Sequence, residues 1–303
     1  MSYQEYDNIL WICQNKIYEF LNIKNVIGIG LGHKYVKSQN TNEVCLNVFV
    51  EKKEDLINLK KSDIIPTKYK GIKTDVFELG TVTSSALNTK IRPVQCGYSI
   101  GPTNSNIAGT AGCIVQRGSG NNLSYFLLSN NHILTDSQTK PLGTRIVQPA
   151  IPDGGTILDA VATLSSYIPL QSGTRQINTV DCAIARIISN SFISNEIAWL
   201  GYPKGTSNVI LGEKVKKIGR SSGRTTSTVR SISSFLYINL GGRYYLFQDQ
   251  IIMDKFSLEG DSGSLVLNNS NKAIGLLMAT STYASIANNI NSVLRALNVE
   301  LTT

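Results

Sequence analysis

The sequence predicts a mostly β protein with a small α/β domain at its N-terminus and a helix at its C-terminal end. Three observations predict this arrangement. From Arg92 onward, short apolar stretches alternate with runs of Gly, Asn, Ser and Pro, which is typical of β-barrels and sandwiches. Residues 1–90 contain twelve lysines and no arginine, whereas all ten arginines follow, and such a change in composition marks a domain junction. Near the end, Ile290, Val293 and Leu297 recur at helical spacing.

The N-terminal domain, residues 1–90, is predicted to begin with a helix and to continue with strands. Apolar residues between Ile9 and Leu21 recur every three or four positions and form one stripe over about four turns. The polar stretch Thr81–Lys90 is the expected linker to the rest of the chain. Strands are predicted at Val26–Gly32, Val44–Val50, Thr74–Leu79 and around Ile64.

Beyond residue 90, the predicted strands are short and numerous. Cys113–Gln116 and Ser124–Leu128 flank a Gly-Ser-Gly-Asn-Asn turn, which indicates a hairpin. A closing helix is predicted within Ile286–Leu297. The further strands are predicted at Arg145–Gln148, Cys182–Ile188, Val215–Ile218, Phe235–Leu240, Tyr244–Asp249, Ser264–Leu267 and Ala273–Met278.

Composition excludes several classes of protein. The 303 residues are 42% hydrophobic with a mean hydropathy of -0.03, which is typical of a globular protein, and no apolar run reaches the length of a membrane span. The net charge of +8 comes from scattered residues, so we expect no nucleic-acid partner. The first residues do not resemble a secretory signal, and five cysteines without a CxxC pair favour reduced thiols, so a cytoplasmic location is expected. We expect neither a cofactor nor a metal ion.

The segment Gly260-Asp261-Ser262-Gly263-Ser264 carries the strongest chemical signal. A nucleophilic serine must project its Oγ from a tight turn, and flanking glycines allow such a turn. The amide N–H groups of Gly260 and Ser262 would then form the oxyanion hole. The alternative interpretation is a plain polar turn between two strands, because short motifs recur by chance.

A serine needs a base, and the chain contains only two histidines. His132 follows an apolar strand, where a rigid imidazole would lie at the edge of a cleft. His33 lies in the N-terminal domain and has no acidic residue near it in the sequence, so a structural role is favoured there. His132 is therefore the candidate base.

The third candidate residue is Asp181, which opens the apolar run Val180–Ala185. A carboxylate that enters a buried strand costs free energy unless it is paired, and the imidazole of His132 would be its partner. Asp153 and Asp159 are the competing candidates. They lie in polar, glycine-rich surroundings, where solvation alone would account for them.

The order His132, Asp181, Ser262 is that of chymotrypsin-type peptidases. Further segments along the chain resemble the bacterial trypsin-like serine peptidases that have an N-terminal α/β region, a group similar to the plant NARROW LEAF 1 type. The segments that carry the resemblance span nearly the whole chain and are VIGIGLGHK, LNVFVEKK, IIPTKYKGIKTDVFELG, RPVQCGYSIG, GTAGCIV, FLLSNNHIL, VDCAIARI, KKIGRSSGRTTSTV, GDSGSLV, IGLLMATS and SIANNINSVLRALNVEL.

The resemblance implies a chymotrypsin-like double β-barrel. Residues 91–195 would form the first barrel, with the base and the aspartate, and residues 196–303 the second, with the serine and the closing helix. It also implies that a basic residue within Lys217–Arg220 pairs with Asp261. The substrate pocket would be lined by residues around Lys255–Leu258 and Met278–Ser281, without a charge that selects basic side chains.

The function expected from these features is that of a serine endopeptidase acting on proteins or peptides through an acyl-enzyme. A second hypothesis is a catalytically restrained, protease-like binding or regulatory module, and a third is a serine esterase that uses the same residues. The N-terminal domain would then be a regulatory, targeting or packing unit. No feature of the sequence selects an oligomeric state.

Overall fold

The computed structural model describes residues 3–37, 39–80, 87–173 and 175–302. The chain forms two compact units, Met1–Ser84 and Ser85–Thr303. Most of the expected linker, residues 81–86, lies outside the described residues. No helix in the part of the chain that the structure describes is long and apolar enough to cross a membrane.

The first unit packs two helices on a four-stranded sheet with the order β1-β2-β4-β3. The sheet is mixed, because β2 pairs antiparallel with β1 and parallel with β4. The predicted apolar stripe is divided between two helices that meet at Lys16. The prediction of a strand around Ile64 is wrong, because Ile64 follows a 3-10 turn. The elements are α1 (Tyr3–Asn15), α2 (Ile17–Leu21), β1 (Val26–Val36), β2 (Gln39–Val50), β3 (Lys68–Tyr69) and β4 (Ile72–Glu78).

The first barrel of the second unit is an eight-stranded sheet with the order β21-β8-β9-β13-β11-β10-β6-β7. The predicted hairpin is confirmed, because β8 and β9 pair antiparallel across the expected turn. Its elements are β6 (Ser99–Pro102), β7 (Gly109–Thr110), β8 (Cys113–Arg117), β9 (Ser124–Ser129), α3 (Asn131–Leu134), β10 (Arg145–Val147), β11 (Ala160–Tyr167) and β13 (Ala183–Ile187), with β21 (Glu300–Leu301) joining from the C-terminal end. Outside this sheet, β5 (Val94–Cys96) and β14 (Ile193–Ile197) pair with each other. The short strand β12 (Ile177–Asn178) pairs in parallel with the strand Arg243–Asp254 of the second barrel.

The second barrel closes on itself, because its last strand, β20, pairs with β17 as well as with β19. The predicted closing helix is present but begins later than Ile286, since residues 284–289 form β20. The elements are β15 (Lys214–Gly219), β16 (Gly223–Leu240), β17 (Arg243–Asp254), β18 (Leu265–Asn268), β19 (Ala273–Thr280), β20 (Ala284–Asn289) and α4 (Ile290–Leu297).

The apolar side chains of the two barrels meet in a continuous core. Leu127 and Ile184 of the first barrel and Leu276 of the second are all buried in it, and α4 contributes Val293. The predicted mostly β, double-barrel architecture is thus confirmed. All five cysteines are free, and each lies in the described part of the chain.

Candidate active site

His132 and Asp181 are brought together by the pairing of two neighbouring strands. β9 ends at Ser129, and the antiparallel register places Ser129 opposite Ala183, the first residue of β13. The chain before Ala183 therefore passes beside the chain after Ser129, where α3 carries His132. The Asn130 side chain donates to the Asp181 carbonyl oxygen at 2.8 Å, which fixes the two segments against each other.

The Asp181 carboxylate contacts His132 through both of its oxygens. Oδ1 accepts the His132 amide N–H at 3.0 Å, and Oδ2 is hydrogen-bonded to the ring nitrogen Nδ1. The Asp181 side chain is fully buried, whereas the His132 side chain is 15% exposed. Because an ionised carboxylate only accepts, it holds the ring proton on Nδ1 and leaves Nε2 of the neutral imidazole as an acceptor.

Ser262 lies in a tight turn between β17 and β18 that packs on the first barrel. The glycines on either side, Gly260 and Gly263, have φ angles of +94° and +96°, which residues with a Cβ rarely adopt. A Cβ at Gly263 would also lie 2.2 Å from Ser129 Oγ and 2.3 Å from the Thr110 carbonyl oxygen. Both the turn and its close approach to the first barrel therefore require glycine.

His132 and Ser262 line a single cleft of about 360 Å³ whose walls come from both barrels. The Ser262 hydroxyl donates to the Met278 carbonyl oxygen at 3.0 Å, and within the described residues it makes no hydrogen bond to His132. Glu259 is the one carboxylate among the described residues that line this cleft.

Two backbone N–H groups beside the serine are unused. The Asp261 amide donates to the Leu258 carbonyl oxygen at 3.1 Å, whereas the amides of Gly260 and Ser262 donate to no acceptor among the described residues. Since backbone N–H groups inside proteins are nearly always paired, these two amides are available to an acceptor that the described residues do not supply, such as an oxyanion.

Asp261 points away from the cleft into a buried ion pair. Its Oδ2 lies 2.8 Å from Lys217 Nζ, and both side chains are fully buried. Burial raises the pKa of the Asp261 carboxyl, but Lys217 and the donors Ser222 and Leu258 outweigh it and hold the pKa below its ordinary value. The expectation of a basic partner within Lys217–Arg220 is confirmed, and the partner is Lys217.

The interpretation of Asp153 and Asp159 as merely solvated residues is wrong. The Asp153 side chain is 6% exposed and accepts two hydrogen bonds from the Arg220 guanidinium. Burial raises the pKa of Asp153, but hydrogen bonds from Arg220 and Ser99 outweigh it and keep the pKa below its ordinary value. Asp159, 8% exposed, is paired with Lys90. Neither aspartate contacts His132 in the described structure.

The two segments expected to line the substrate pocket have different positions. Met278 and Thr280 line the cleft, whereas Phe256 is buried in the core of the second barrel, with Lys217 Nζ 5.8 Å from its ring. Thr280 Oγ1 donates to the Ser257 carbonyl oxygen at 3.1 Å. This bond joins the two segments, but only the second contributes residues to the lining of the cleft.

His33 lies on β1 of the first unit. Its neighbour is Asn40, whose side-chain nitrogen lies 3.3 Å from the ring nitrogen Nδ1. The sequence interpretation did not anticipate three hydrogen bonds that lie around the site, because no local pattern along the chain indicates them. They run from the Thr110 hydroxyl to the Gly260 carbonyl oxygen, from the Asp181 amide to the Asn288 side chain, and from the Ser129 hydroxyl to the Thr110 carbonyl oxygen.

The arrangement of the second unit is that of the chymotrypsin-like double β-barrel, and solved structures with this fold resemble it. A Nocardiopsis protease aligns with a TM-score of 0.52 and 16% identity over 69% of this chain and 99% of its own. Protease A of Thermobifida fusca aligns with a TM-score of 0.51 and 17% identity over 69% of this chain and 98% of its own. A chymotrypsin of Cellulomonas bogoriensis gives a TM-score of 0.50 at 15% identity, again over 69% of this chain and 98% of its own. At these identities the likeness defines the fold.

Among curated proteins, the chain is similar to Protein NARROW LEAF 1 of rice, Oryza sativa subsp. japonica. The two are 28% identical over an alignment of 284 residues that covers 80% of this chain. The match spans about half, 48%, of the rice protein's length. No family model matches the chain.

Proposed function

We propose that the protein is a serine endopeptidase that hydrolyses peptide bonds through an acyl-enzyme. Ser262 is the nucleophile, His132 the general base, and Asp181 the residue that orients the base. The observation that carries this proposal is the meeting of three features at one cleft. They are an imidazole held by a buried carboxylate, a serine in a glycine-flanked turn, and the amides of Gly260 and Ser262, which have no acceptor among the described residues.

In the proposed acylation, the Ser262 hydroxyl turns from Met278 to Nε2 of His132 and gives up its proton as Oγ attacks the carbonyl carbon. The amides of Gly260 and Ser262 hold the oxyanion, and His132 passes its proton to the leaving amine nitrogen as the peptide bond breaks. In deacylation, water loses a proton to His132 and attacks the ester, and the proton returns to Ser262. Asp181 stabilises the imidazolium in both halves.

A second candidate function is that of a restrained, protease-like binding module. The Ser262 hydroxyl is engaged with the Met278 carbonyl oxygen at 3.0 Å instead of with His132, and this observation favours a resting state. Under this candidate function the cleft binds a peptide segment, and the serine reacts slowly or not at all.

Both candidate functions are tested by treating the full chain with a fluorophosphonate probe and by following its cleavage of casein. We expect labelling and cleavage by the wild type and loss of both in Ser262→Ala. Ser137→Ala is the matched control, because Ser137 lines the same cleft, and it should keep both activities. Labelling that persists in Ser262→Ala would contradict the nucleophile. Labelling of the wild type without cleavage of casein or of short peptides would favour the serine esterase, whereas a wild type that is neither labelled nor active would favour the binding module.

A further inference from the structure

Thr110, on β7 of the first barrel, has all its polar groups engaged around the serine turn of the second barrel. Its amide donates to the Ser262 carbonyl oxygen at 2.8 Å, and its hydroxyl donates to the Gly260 carbonyl oxygen at 2.9 Å. Its own carbonyl oxygen accepts from Ser129 Oγ at 2.8 Å. Thr110 therefore holds the carbonyl groups of Gly260 and Ser262, the two residues whose amides have no acceptor in the part of the chain that the structure describes.

The direction of the Thr110 hydroxyl proton is fixed by a further bond. The Arg220 amide donates to Thr110 Oγ1 at 3.0 Å, so the hydroxyl oxygen is already an acceptor on that side. Its single proton is left for the Gly260 carbonyl oxygen. Thr110 is fully buried, so water does not compete for either bond, and losing the hydroxyl would leave two buried polar groups unpaired.

The peptide planes of the turn are anchored unequally. The Asp261 carbonyl oxygen accepts from the Ser264 amide at 3.0 Å and from its hydroxyl at 2.6 Å, and this plane also contains the Ser262 N–H. The plane that contains the Gly260 N–H has no such anchor, because the Glu259 carbonyl oxygen accepts no hydrogen bond within the described residues. The orientation of the Gly260 N–H is therefore limited by the following peptide plane, between Gly260 and Asp261. Thr110 holds the carbonyl group of that plane.

Gly260 can readily change its backbone angles, since it has no Cβ and already lies at a φ of +94°. A plane that rotates about this residue would turn the Gly260 N–H out of the cleft. The turn's own bond from Asp261 to Leu258 is local and 3.1 Å long. Thr110 supplies the anchor from the other barrel, and it acts on the carbonyl group adjacent to the flexible plane.

We propose that Thr110 is a positioning residue for the oxyanion hole: its hydroxyl holds the Gly260 carbonyl on the side away from the cleft, so that the Gly260 N–H faces a developing oxyanion. The inference rests on the proposed function. It assigns to Thr110 no contact with substrate, and its effect passes through Gly260 alone.

The test compares Thr110→Val and Thr110→Ala with Thr110→Ser in the full chain, with rates expressed per folded molecule. Removing one oxyanion donor outright costs about 10²–10³-fold in kcat. Because a misplaced donor is lost only part of the time, we expect Val and Ala to lower kcat about 10- to 100-fold, with KM nearly unchanged. Ser keeps the hydroxyl and should keep most of kcat.

A peptide aldehyde supplies a readout that a general loss of stability would not change. Its adduct with Ser262 places an oxyanion in the hole, so its inhibition constant should rise with the loss of kcat. The inhibition constant of the matching peptide alcohol should not rise.

Ser129→Ala is the matched control, because it removes a bond to the Thr110 carbonyl oxygen but leaves the Thr110 hydroxyl in place. It should lower the melting temperature and keep kcat.

The outcomes separate the two proposals. A wild type that neither labels nor cleaves overturns the proposed function. An active wild type whose kcat is kept in Thr110→Val and Thr110→Ala overturns the role of Thr110 alone, and so does an equal loss in Thr110→Ser or in Ser129→Ala. If Thr110→Val does not fold, the comparison of Ala with Ser decides.

Discussion

Asp181 in one barrel and Asp261 in the other both have fully buried side chains, but they pair with chemically different partners. Asp261 is paired with the ammonium group of Lys217 at 2.8 Å and accepts four further hydrogen bonds. Asp181 accepts from the amide and ring of one residue, His132. Asp261 therefore has a permanently charged partner, whereas the partner of Asp181 is a cation only when the imidazole gains a proton.

The difference separates an anchoring carboxylate from one whose charge is available for chemistry. Burial lowers the pKa of Lys217 although Asp261 raises it, so the Lys217–Asp261 pair costs desolvation on both sides and gives a fixed geometry in return. Within the described residues, Asp181 forms no ion pair with a lysine or an arginine, and its partner is His132. The free energy of its burial is offset most fully when His132 is protonated, which is the state that the proposed mechanism forms during each transfer.

The largest effect is expected from Asp181→Asn. An amide at this position donates to Nδ1 and places the ring proton on Nε2, so His132 can no longer act as a base. We expect kcat to fall by about 10⁴-fold, as in the chymotrypsin-type template for this triad, with the fold retained. Steady-state kinetics and circular dichroism measure the two effects.

The control for Asp181→Asn is Asp136→Asn. Asp136 lies in the same barrel and accepts from Ser105 at 2.9 Å, but it does not contact His132 in the described structure. The kcat of Asp136→Asn should stay close to that of the wild type. A loss of less than tenfold in Asp181→Asn would contradict the assigned role of Asp181.

The next largest effect is a loss of folding stability when Asp261 loses its partner Lys217. Lys217→Met leaves the Asp261 charge buried without its cation, and breaking such a pair costs about 3–5 kcal/mol in the free energy of unfolding. The double variant Lys217→Met with Asp261→Asn removes the charge as well and should regain most of that loss. Urea denaturation of the single and double variants measures both effects.

The matched control for this pair is Arg220→Met. The Arg220 side chain is 21% exposed, so water can solvate the remaining Asp153 carboxylate in part, and the loss should be smaller than in Lys217→Met. An equal stability of Lys217→Met and the wild type would show that Asp261 is satisfied without a cation.

How much the sequence predicts depends on how local the cause is. The spacing of apolar residues predicts β8 and β9, because each strand has its own pattern and a turn lies between them. In contrast, β16 runs from Gly223 to Leu240, but only Phe235–Leu240 is predicted. The first two thirds of this strand are rich in Ser and Thr and contain two exposed arginines, Arg224 and Arg230, so the composition of this part resembles that of a loop.

At the site, the sequence selects His132, Asp181 and Ser262, because each has a local signature, and the structure brings the first two into contact at the cleft that Ser262 lines. The bond from Thr110 to Gly260 joins residues 150 positions apart. It exists only once the barrels have packed, so no spacing along the chain predicts it.

Asp159 shows the same limit for an electrostatic property. Its polar neighbours suggest solvation, but the fold places its carboxylate at the start of a 3-10 turn, where it accepts from the amide and hydroxyl of Thr156, and beside Lys90. The hydrogen bond from Lys90, together with those from Thr156, lowers the pKa of Asp159 to about 2. The sequence does not predict this shift, because Lys90 is 69 residues away.

The smallest effect expected here is a pH-dependent loss of stability in Asp159→Asn. Because the pKa is about 2 in the folded chain and about 3.9 in an unfolded one, the carboxylate stabilises the fold above about pH 4 and ceases to do so as the pH falls toward 2. Removing it should cost about 0.5–2 kcal/mol at pH 7, the range for a lost cap, and progressively less below pH 4.

Urea midpoints of the wild type and Asp159→Asn at pH 7, 5 and 3.5 measure this difference. Asp55→Asn is the matched control, because Asp55 precedes another 3-10 turn but makes no side-chain capping bond, and its effect should be small at every pH. If the gap between the wild type and Asp159→Asn stayed constant down to pH 3.5 or widened there, the carboxylate would not be the stabilising form. The cap and the ion pair would then contribute nothing through charge, and Asp159 would be a solvated residue as its sequence neighbours suggest.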